Sequence, residues 1–172
     1  MSEYGTPKVL GAVMIVKNEE KRLGGILSDI RNVMDEICIV DTGSSDGTIA
    51  LAESFGARIE RFPWCNDFSA ARNHSLACAK SDYLLWLDAD DRIDKGSAKA
   101  LLKLKTRLRS EKDRAYTLKI LGRSQDMPDT LSYQTRIIPN REGVLFEGRV
   151  HEQILPSLKR TGVTIEPVDI TI

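Results

Sequence analysis

Cysteine is scarce: the 172-residue sequence holds Cys38, Cys65 and Cys78, with no C-x-x-C pair among them. An odd count closes no disulfide framework, so reduced thiols in a reducing compartment are the expectation. Cys38 lies in an apolar run and Cys78 in a helix-like stretch, where thiols serve as small core residues. Long apolar runs are also missing. Nothing approaches the roughly 20 residues that a membrane span needs, and Met1 to Lys8 lacks the apolar segment of a secretory leader. The expected location is the cytoplasm, with docking at the inner face of the membrane left open. No sign of charge dominates, because 25 Lys plus Arg meet 25 Asp plus Glu. A neutral chain has no general field for nucleic acid, which is not an expected partner, and its charge chemistry must be local.

What is present is an ordinary globular composition, 41% hydrophobic and 29% charged, at a length that suits one domain over residues 1–172. Short β-branched apolar runs alternate with stretches of helical period, which predicts an α/β fold with a mostly parallel central sheet flanked by helices. Strands are expected at Leu10–Val16, Glu36–Val40, Arg58–Phe62 and Tyr83–Leu87, the last almost wholly apolar and therefore central. A first helix is expected over about Glu19–Asn32, with Asn18 as its cap and Leu23, Ile26, Leu27 and Ile30 on one face. Further helices are expected at Thr48–Phe55, Phe68–Ala79 and Lys95–Leu108. Beyond Glu111 the pattern changes: Ala115–Leu121, Tyr133–Ile138, Val144–Glu147 and Val163–Ile172 read as strands, a mixed or antiparallel extension of the sheet. Asp126-Met-Pro-Asp-Thr130 reads as a mobile loop.

Ligands of open α/β sheets bind beyond the carboxyl ends of the strands, and here those ends are polar. The first strand runs into Lys17-Asn-Glu-Glu20, the second into Asp41 and the fourth into Asp88-Ala-Asp-Asp91. A dinucleotide fold is excluded, since the first turn has no glycine and carries Glu19 and Glu20, which would repel a pyrophosphate. Asp88, Asp90, Asp91 and Asp94 place four carboxylates within seven residues. Two such charges about 6 Å apart repel by roughly 0.7 kcal/mol in water and by more where they are shielded. A divalent cation held by one or two of them together with diphosphate oxygens would remove that cost, and Mg²⁺ or Mn²⁺ suits such a shell. Capping of the next helix explains Asp94 better than ligation does.

These residues resemble an inverting glycosyltransferase of family 2 with the GT-A fold. The matching stretches occur in order: Val13-Met-Ile-Val-Lys-Asn-Glu19, Asp41-Thr-Gly-Ser-Ser-Asp-Gly-Thr48, Ala70-Ala-Arg-Asn73 and Leu87-Asp-Ala-Asp-Asp91. Gly148-Arg-Val-His-Glu-Gln-Ile154 further resembles the subgroup with lipopolysaccharide-core β-glucosyltransferases. The resemblance implies a nucleotide-sugar donor, most often a UDP-sugar, and a glycan, lipid-linked or protein acceptor. It implies a nucleotide-sugar-binding half over about residues 8–110 and an acceptor-side half over about 111–172. Val16, Asn18, Glu19 and Asp41 would hold the base and ribose, with Arg72 near the base and diphosphate. Asp88 would bond the ribose, Ala89 would lie beside it, and Asp90 would ligate the cation, with Asp88 as the second candidate ligand. Glu152, beside His151, is preferred over Glu147 as the base that takes the acceptor's proton.

Other residues have plainer expected roles. Gly43 and Gly47 permit turns, Ser44, Ser45 and Asp46 cap the following helix, Trp86 and Trp64 pack, and His74 is structural. Salt bridges of Glu147 to Arg149 or Arg141 are the plain alternative to catalysis. Many relatives carry a further metal-binding histidine after the strand that corresponds to Val168–Ile172, whereas this sequence ends at Ile172. The expectation is an acceptor side cut short, with weakened metal binding and slow transfer. A catalytically silent nucleotide- or sugar-binding module and a nucleotidyltransferase are the competing readings; the second calls for a glycine-rich basic loop after the first strand, which is absent.

Overall fold

The computed structural model describes residues 7–122 and 128–172. The elements in chain order are β1 (Leu10–Val16), α1 (Glu20–Ile30), β2 (Glu36–Asp41), α2 (Thr48–Ser54), β3 (Arg58–Arg61), α3 (Phe68–Cys78), β4 (Tyr83–Leu87), α4 (Lys95–Leu108), β5 (Arg114–Gly122), β6 (Thr130–Pro139), α5 (Leu155–Arg160) and β7 (Thr164–Thr171). Seven strands form one sheet in the order β3-β2-β1-β4-β6-β5-β7. The four strands of the first half are parallel, β6 runs antiparallel to both β4 and β5, and β7 is parallel to β5. The expected mostly parallel sheet with a mixed C-terminal extension is what forms.

Alternation along the strands divides the interior in two, because successive side chains leave opposite faces of a sheet. Ala12, Met14 and Val16 of β1 and Tyr83, Leu85 and Leu87 of β4 enter one core, completed by Leu23, Ile26, Leu27 and Ile30 of α1 and Leu101, Leu104 and Leu108 of α4. Val13, Cys38 and Leu84 enter the other with Leu76 of α3 and Leu158 of α5. β4 lies between β1 and β6 and is buried on both faces, which is why its sequence is apolar throughout.

Several expectations need correction. Asn18 does not cap α1: the N-cap is Glu19, which makes no side-chain cap bond, and Asn18 adopts φ 55°. The open N–H groups of the first turn are met from a distance instead. Glu19 N–H donates to Thr48 Oγ1 (2.8 Å), Glu20 N–H to Asp46 Oδ2 (3.3 Å), and Asn18 Oδ1 accepts from Ser45 N–H (2.8 Å). Thus the 44–48 loop holds the start of α1, whereas α2 has Gly47 as its N-cap without a side-chain cap bond. Of Ser44, Ser45 and Asp46, expected to cap α2, only Asp46 reaches it, accepting from Thr48 N–H at 3.0 Å, while Ser44 and Ser45 bond Asn18. Val144–Glu147 is not a strand. Among the described residues its only ladder contact is a bridge from Glu147 to Gln153, and Val144 and Phe146 are drawn into the second core instead. The short helix α5 follows it. Of the expected mobile loop, Asp126 and Met127 lie outside the described residues, and Thr130 already belongs to β6. Asp94 caps α4 as expected, accepting from Ser97 N–H at 2.7 Å.

Candidate active site

Helix α3 begins at a proper cap, Asp67, whose Oδ1 accepts from Ala70 N–H at 3.0 Å. One turn later it delivers Arg72 into the interior, its side chain 9% exposed. A buried guanidinium must be paired, and this one is paired twice. Nη2 donates to Asp88 Oδ1 at 2.8 Å and Nε donates to Glu152 Oε1 at 2.7 Å. Its central carbon lies 4.5 Å from the ring centroid of Trp86 and 5.6 Å from that of Phe146. Burial alone would push the Arg72 pKa down, but the two carboxylates outweigh it and the group is held above its ordinary value. Residues far apart in sequence, on α3, behind β4 and in the loop before α5, are therefore joined through one side chain.

Behind β4 the chain turns sharply over Asp88–Asp91. Asp91 Oδ2 accepts from Asp88 N–H at 2.7 Å and closes the turn. A second arginine meets it from β6. Arg136 Nη1 donates to Asp88 Oδ2 at 3.3 Å and to Asp91 Oδ2 at 3.2 Å, and Nε donates to Gln134 Oε1 at 3.0 Å. Its central carbon sits 3.7 Å from the Trp86 ring centroid. Burial pushes Asp88 up, yet Arg72 and Arg136 more than reverse this and its pKa is lowered; for Asp91 burial prevails over Arg136 and the pKa is raised. Arg136 itself is lowered by burial.

Two cavities open on this edge. The first, of about 230 Å³, is lined by the strand ends Ile15, Val16 and Lys17, by Glu19 and Thr42, by Trp64 and Phe68, and by Arg72, Asp88, Ala89 and Asp90. The second, of about 580 Å³, lies on the other side of Asp90 against Asp29, Asp91 to Asp94, Ile120 to Gly122, Thr171 and Ile172. Of the expected donor-site residues, Val16, Glu19, Arg72, Asp88, Ala89 and Asp90 thus line one cavity. Asp41 and Asn18 are not on the lining. Asp41 is buried and folds its carboxylate back onto Gly43 and Ser44 N–H at 3.0 and 3.1 Å, shaping the turn, while Asn18 bonds the same loop. Glu152 reaches the site through Arg72. Glu147 pairs with Arg160 rather than with Arg149 or Arg141. Trp64 is half-buried and stacks edge-on against Phe68 with ring centroids 4.8 Å apart, forming cavity wall rather than sheet core. His74 packs on Phe62, ring centroids 5.2 Å apart, and is structural.

A cation fits this edge in one way. Among the described residues no three His, Cys, Asp or Glu side chains are grouped to hold a metal, so a closed protein cage is not built. Both Asp88 oxygens are engaged by guanidinium groups. Asp90 is exposed on the wall common to both cavities and makes no side-chain hydrogen bond or ion pair among the described residues. One carboxylate plus diphosphate oxygens and water is a normal Mg²⁺ or Mn²⁺ shell.

Sequence reasoning missed Arg136. The available signal was a charge set in the run Thr135-Arg-Ile-Ile138, since a charged side chain in the buried part of a strand requires a partner.

Comparison with known proteins gives the family. Residues 12–139 match glycosyl transferase family 2, and the chain belongs to that family. A TPR repeat-containing protein of Synechococcus elongatus is 34% identical over 148 residues, 84% of this chain and 35% of its own length. An uncharacterized glycosyltransferase of Rickettsia bellii is 35% identical over 95 residues, 55% of this chain and 32% of its own. The chain therefore spans about a third of these relatives. Among solved structures, S. aureus TarS 1-349 in complex with UDP-GlcNAc superposes with a TM-score of 0.69 at 15% identity, over 94% of this chain and 56% of that one. Glucosyl-3-phosphoglycerate synthase from Mycobacterium tuberculosis, in complex with Mn²⁺, UDP and glucosyl-3-phosphoglycerate, gives 0.66 at 16% identity over 96% and 71%. At such identities the likeness establishes the GT-A glycosyltransferase fold.

Proposed function

We propose that this chain is the donor-binding part of an inverting glycosyltransferase that moves a sugar from a UDP-sugar to a hydroxyl of a glycan, lipid-linked or protein acceptor. The observation that carries the reading is Arg72, buried and bonded at once to Asp88 on the donor cavity and to Glu152 beyond it. The strand-end residues Val16 and Glu19, with the loop shaped by Asn18 and Asp41, form the base and ribose side of that cavity. Asp88 faces the ribose, and Ala89 and Asp90 form the diphosphate side. A Mg²⁺ or Mn²⁺ ion on Asp90 would neutralise charge on the departing diphosphate. Asp88, with both oxygens engaged, supports this wall rather than ligating. Crystal structures of fold neighbours in complex with UDP, UDP-GlcNAc and Mn²⁺ support the donor class and the ion. Likeness of Gly148–Ile154 to the lipopolysaccharide-core β-glucosyltransferases supports an envelope glycan as acceptor.

Glu152 is the proposed base. Arg72 Nε fixes Oε1 at 2.7 Å, leaving Oε2 to accept the acceptor's hydroxyl proton as the oxygen attacks the anomeric carbon. In Glu152→Gln the amide oxygen still accepts from Arg72 while the basic oxygen is gone. We expect transfer to fall by about 100-fold or more, in line with the contribution of a positioned base, with UDP binding in the presence of Mn²⁺ unchanged by calorimetry. Undiminished transfer removes Glu152 from this role; UDP binding without transfer by the wild type favours the silent module.

Among the described residues no helix is long and apolar enough to cross a membrane. Helix α4 nevertheless supports docking on an anionic lipid surface. Lys95, Lys99, Lys103 and Arg109 are exposed beside Leu102, itself 45% exposed, and no acidic residue occurs from Lys95 to Ser110. At 100° per residue these five fall within an arc of about 120°, opposite the buried Leu101, Leu104 and Leu108. Each such cation is worth about 1 kcal/mol at an anionic surface. Flotation with phosphatidylglycerol-containing vesicles should therefore be strong at low salt and lost in the Lys99→Gln, Lys103→Gln double variant; equal flotation with neutral phosphatidylcholine vesicles would remove the charge-based reading.

A further inference from the structure

One buried charge, held by four acceptors, lies in none of the sequence motifs. Arg136 comes from β6, in the antiparallel half, and its side chain is 4% exposed. It does not line the donor cavity. Instead its Nη1 lies 3.3 Å from Asp88 Oδ2, 3.2 Å from Asp91 Oδ2 and 3.4 Å from the Trp86 carbonyl oxygen, with the guanidinium stacked 3.7 Å over the Trp86 ring. The three acceptors on this one nitrogen are the carbonyl of Trp86, next to last in β4, and the carboxylates at both ends of the Asp88–Asp91 turn. Gln134 then fixes the fork from the opposite side through Nε, at 3.0 Å.

We propose that Arg136 is a positioning residue for the donor site: it clamps the two ends of the Asp88–Asp91 turn and so sets where Asp90 is presented. The inference rests on the reading of Asp90 as the carboxylate on the diphosphate side. Asp90 is the exposed middle of a turn whose flanks are Asp88 and Asp91, and it makes no side-chain bond of its own among the described residues. Its position is therefore inherited from its neighbours. Arg72 secures only the first of them, through Asp88 Oδ1, whereas Arg136 reaches both. Its planar fork, stacked on an indole, can satisfy several acceptors in one fixed geometry; an ammonium on a flexible stem keeps the charge but neither the stacking nor the fork. With the Asp91 side chain 12% exposed and that of Asp88 37% exposed, a cation that cannot reach both leaves the turn free to relax.

Arg136→Lys keeps the positive charge and is the variant of choice, with Arg136→Met as the stronger lesion. Two measurements on the whole chain decide the matter. Amide hydrogen exchange across residues 88–91 reports the turn directly: we expect it to quicken at least 10-fold in Arg136→Lys, with α3 around Arg72 unchanged. Calorimetry with UDP and Mn²⁺ reports its use: we expect a Kd at least 10-fold weaker than in the wild type. That loss should not be additive with Asp90→Asn, because both changes act through the same carboxylate. Unaltered exchange in the turn overturns the proposal. So does a loosened turn with wild-type UDP affinity, or a loss that simply adds to that of Asp90→Asn. If the wild type itself takes up no UDP with Mn²⁺, the donor-site reading fails instead, a result separate from any comparison between variants. Should Arg136→Met unfold, Arg136→Lys still carries both measurements.

Discussion

Asp90→Asn should lower sugar transfer by about 100-fold or more, since a metal-held diphosphate contributes several kcal/mol of charge stabilisation in such reactions. The same change should leave the melting temperature where it is. Asp90 is exposed and bears no bond within the described protein, so its loss breaks no interaction of the fold. The separation shows best in binding: UDP affinity measured with Mn²⁺ should collapse toward the value measured without it, which should itself be unaffected. Asp91→Asn makes the contrast, because Asp91 closes the turn on Asp88 N–H and pairs with Arg136. That variant should lose stability as well as affinity. Retention of the full Mn²⁺ effect on UDP binding in Asp90→Asn would exclude Asp90 as the ligand.

Arg72→Met should destabilise the fold by about 3 kcal/mol, the low end of what removal of one partner from a buried ion pair costs. The low end applies because the Asp88 side chain is 37% exposed and water can still reach it. For a chain of this size such a loss lowers the melting temperature by roughly 6–12 °C. The pH dependence gives the sign. Asp88 has a lowered pKa in the folded state, where Arg72 and Arg136 overcome the upward push of burial. Its contribution to stability is thus present above the unfolded carboxylate value of about 3.9 and is lost as pH falls through the lower folded value. The gap between wild type and Arg72→Met should accordingly be full at pH 7 and narrow below about pH 4, which thermal melts across that range can follow. A gap that widens on acidification would mean that Asp88 is not the group Arg72 stabilises.

The first half of the chain was legible because apolar alternation and helical period point the same way there: β1 and β4 lie at the residues read from sequence, and α1 presents the expected face of Leu23, Ile26, Leu27 and Ile30. Strand ends with acidic residues identified the edge of the sheet where the cavities open. What sequence could not supply was partnership. Asn18 has the chemistry of a cap, but whether it caps depends on a loop 26 to 30 residues later that does the task better. Val144–Glu147 has strand-like residues, yet among the described residues it pairs only through the Glu147–Gln153 bridge, and Val144 and Phe146 are buried in the second core instead. Arg72 could be proposed from its motif, while its simultaneous hold on Asp88 and Glu152 exists only once α3, β4 and the 148–154 loop are folded together. Arg136 had no motif at all.

The division of β1 and β4 between two interiors has a bearing on chemistry well away from either. Shifting β1 by a single residue against its neighbours would swap Met14 with Val13, send apolar groups to the wrong layer and pull Lys17 inward. Such a slip misfits both packed layers at once, so packing holds the strand tips at the rim along the chain direction. Oil-filled layers thus act as the ruler by which the polar rim is measured, and a substitution deep in the sheet that loosens this ruler can blunt ligand capture without touching a single charged group.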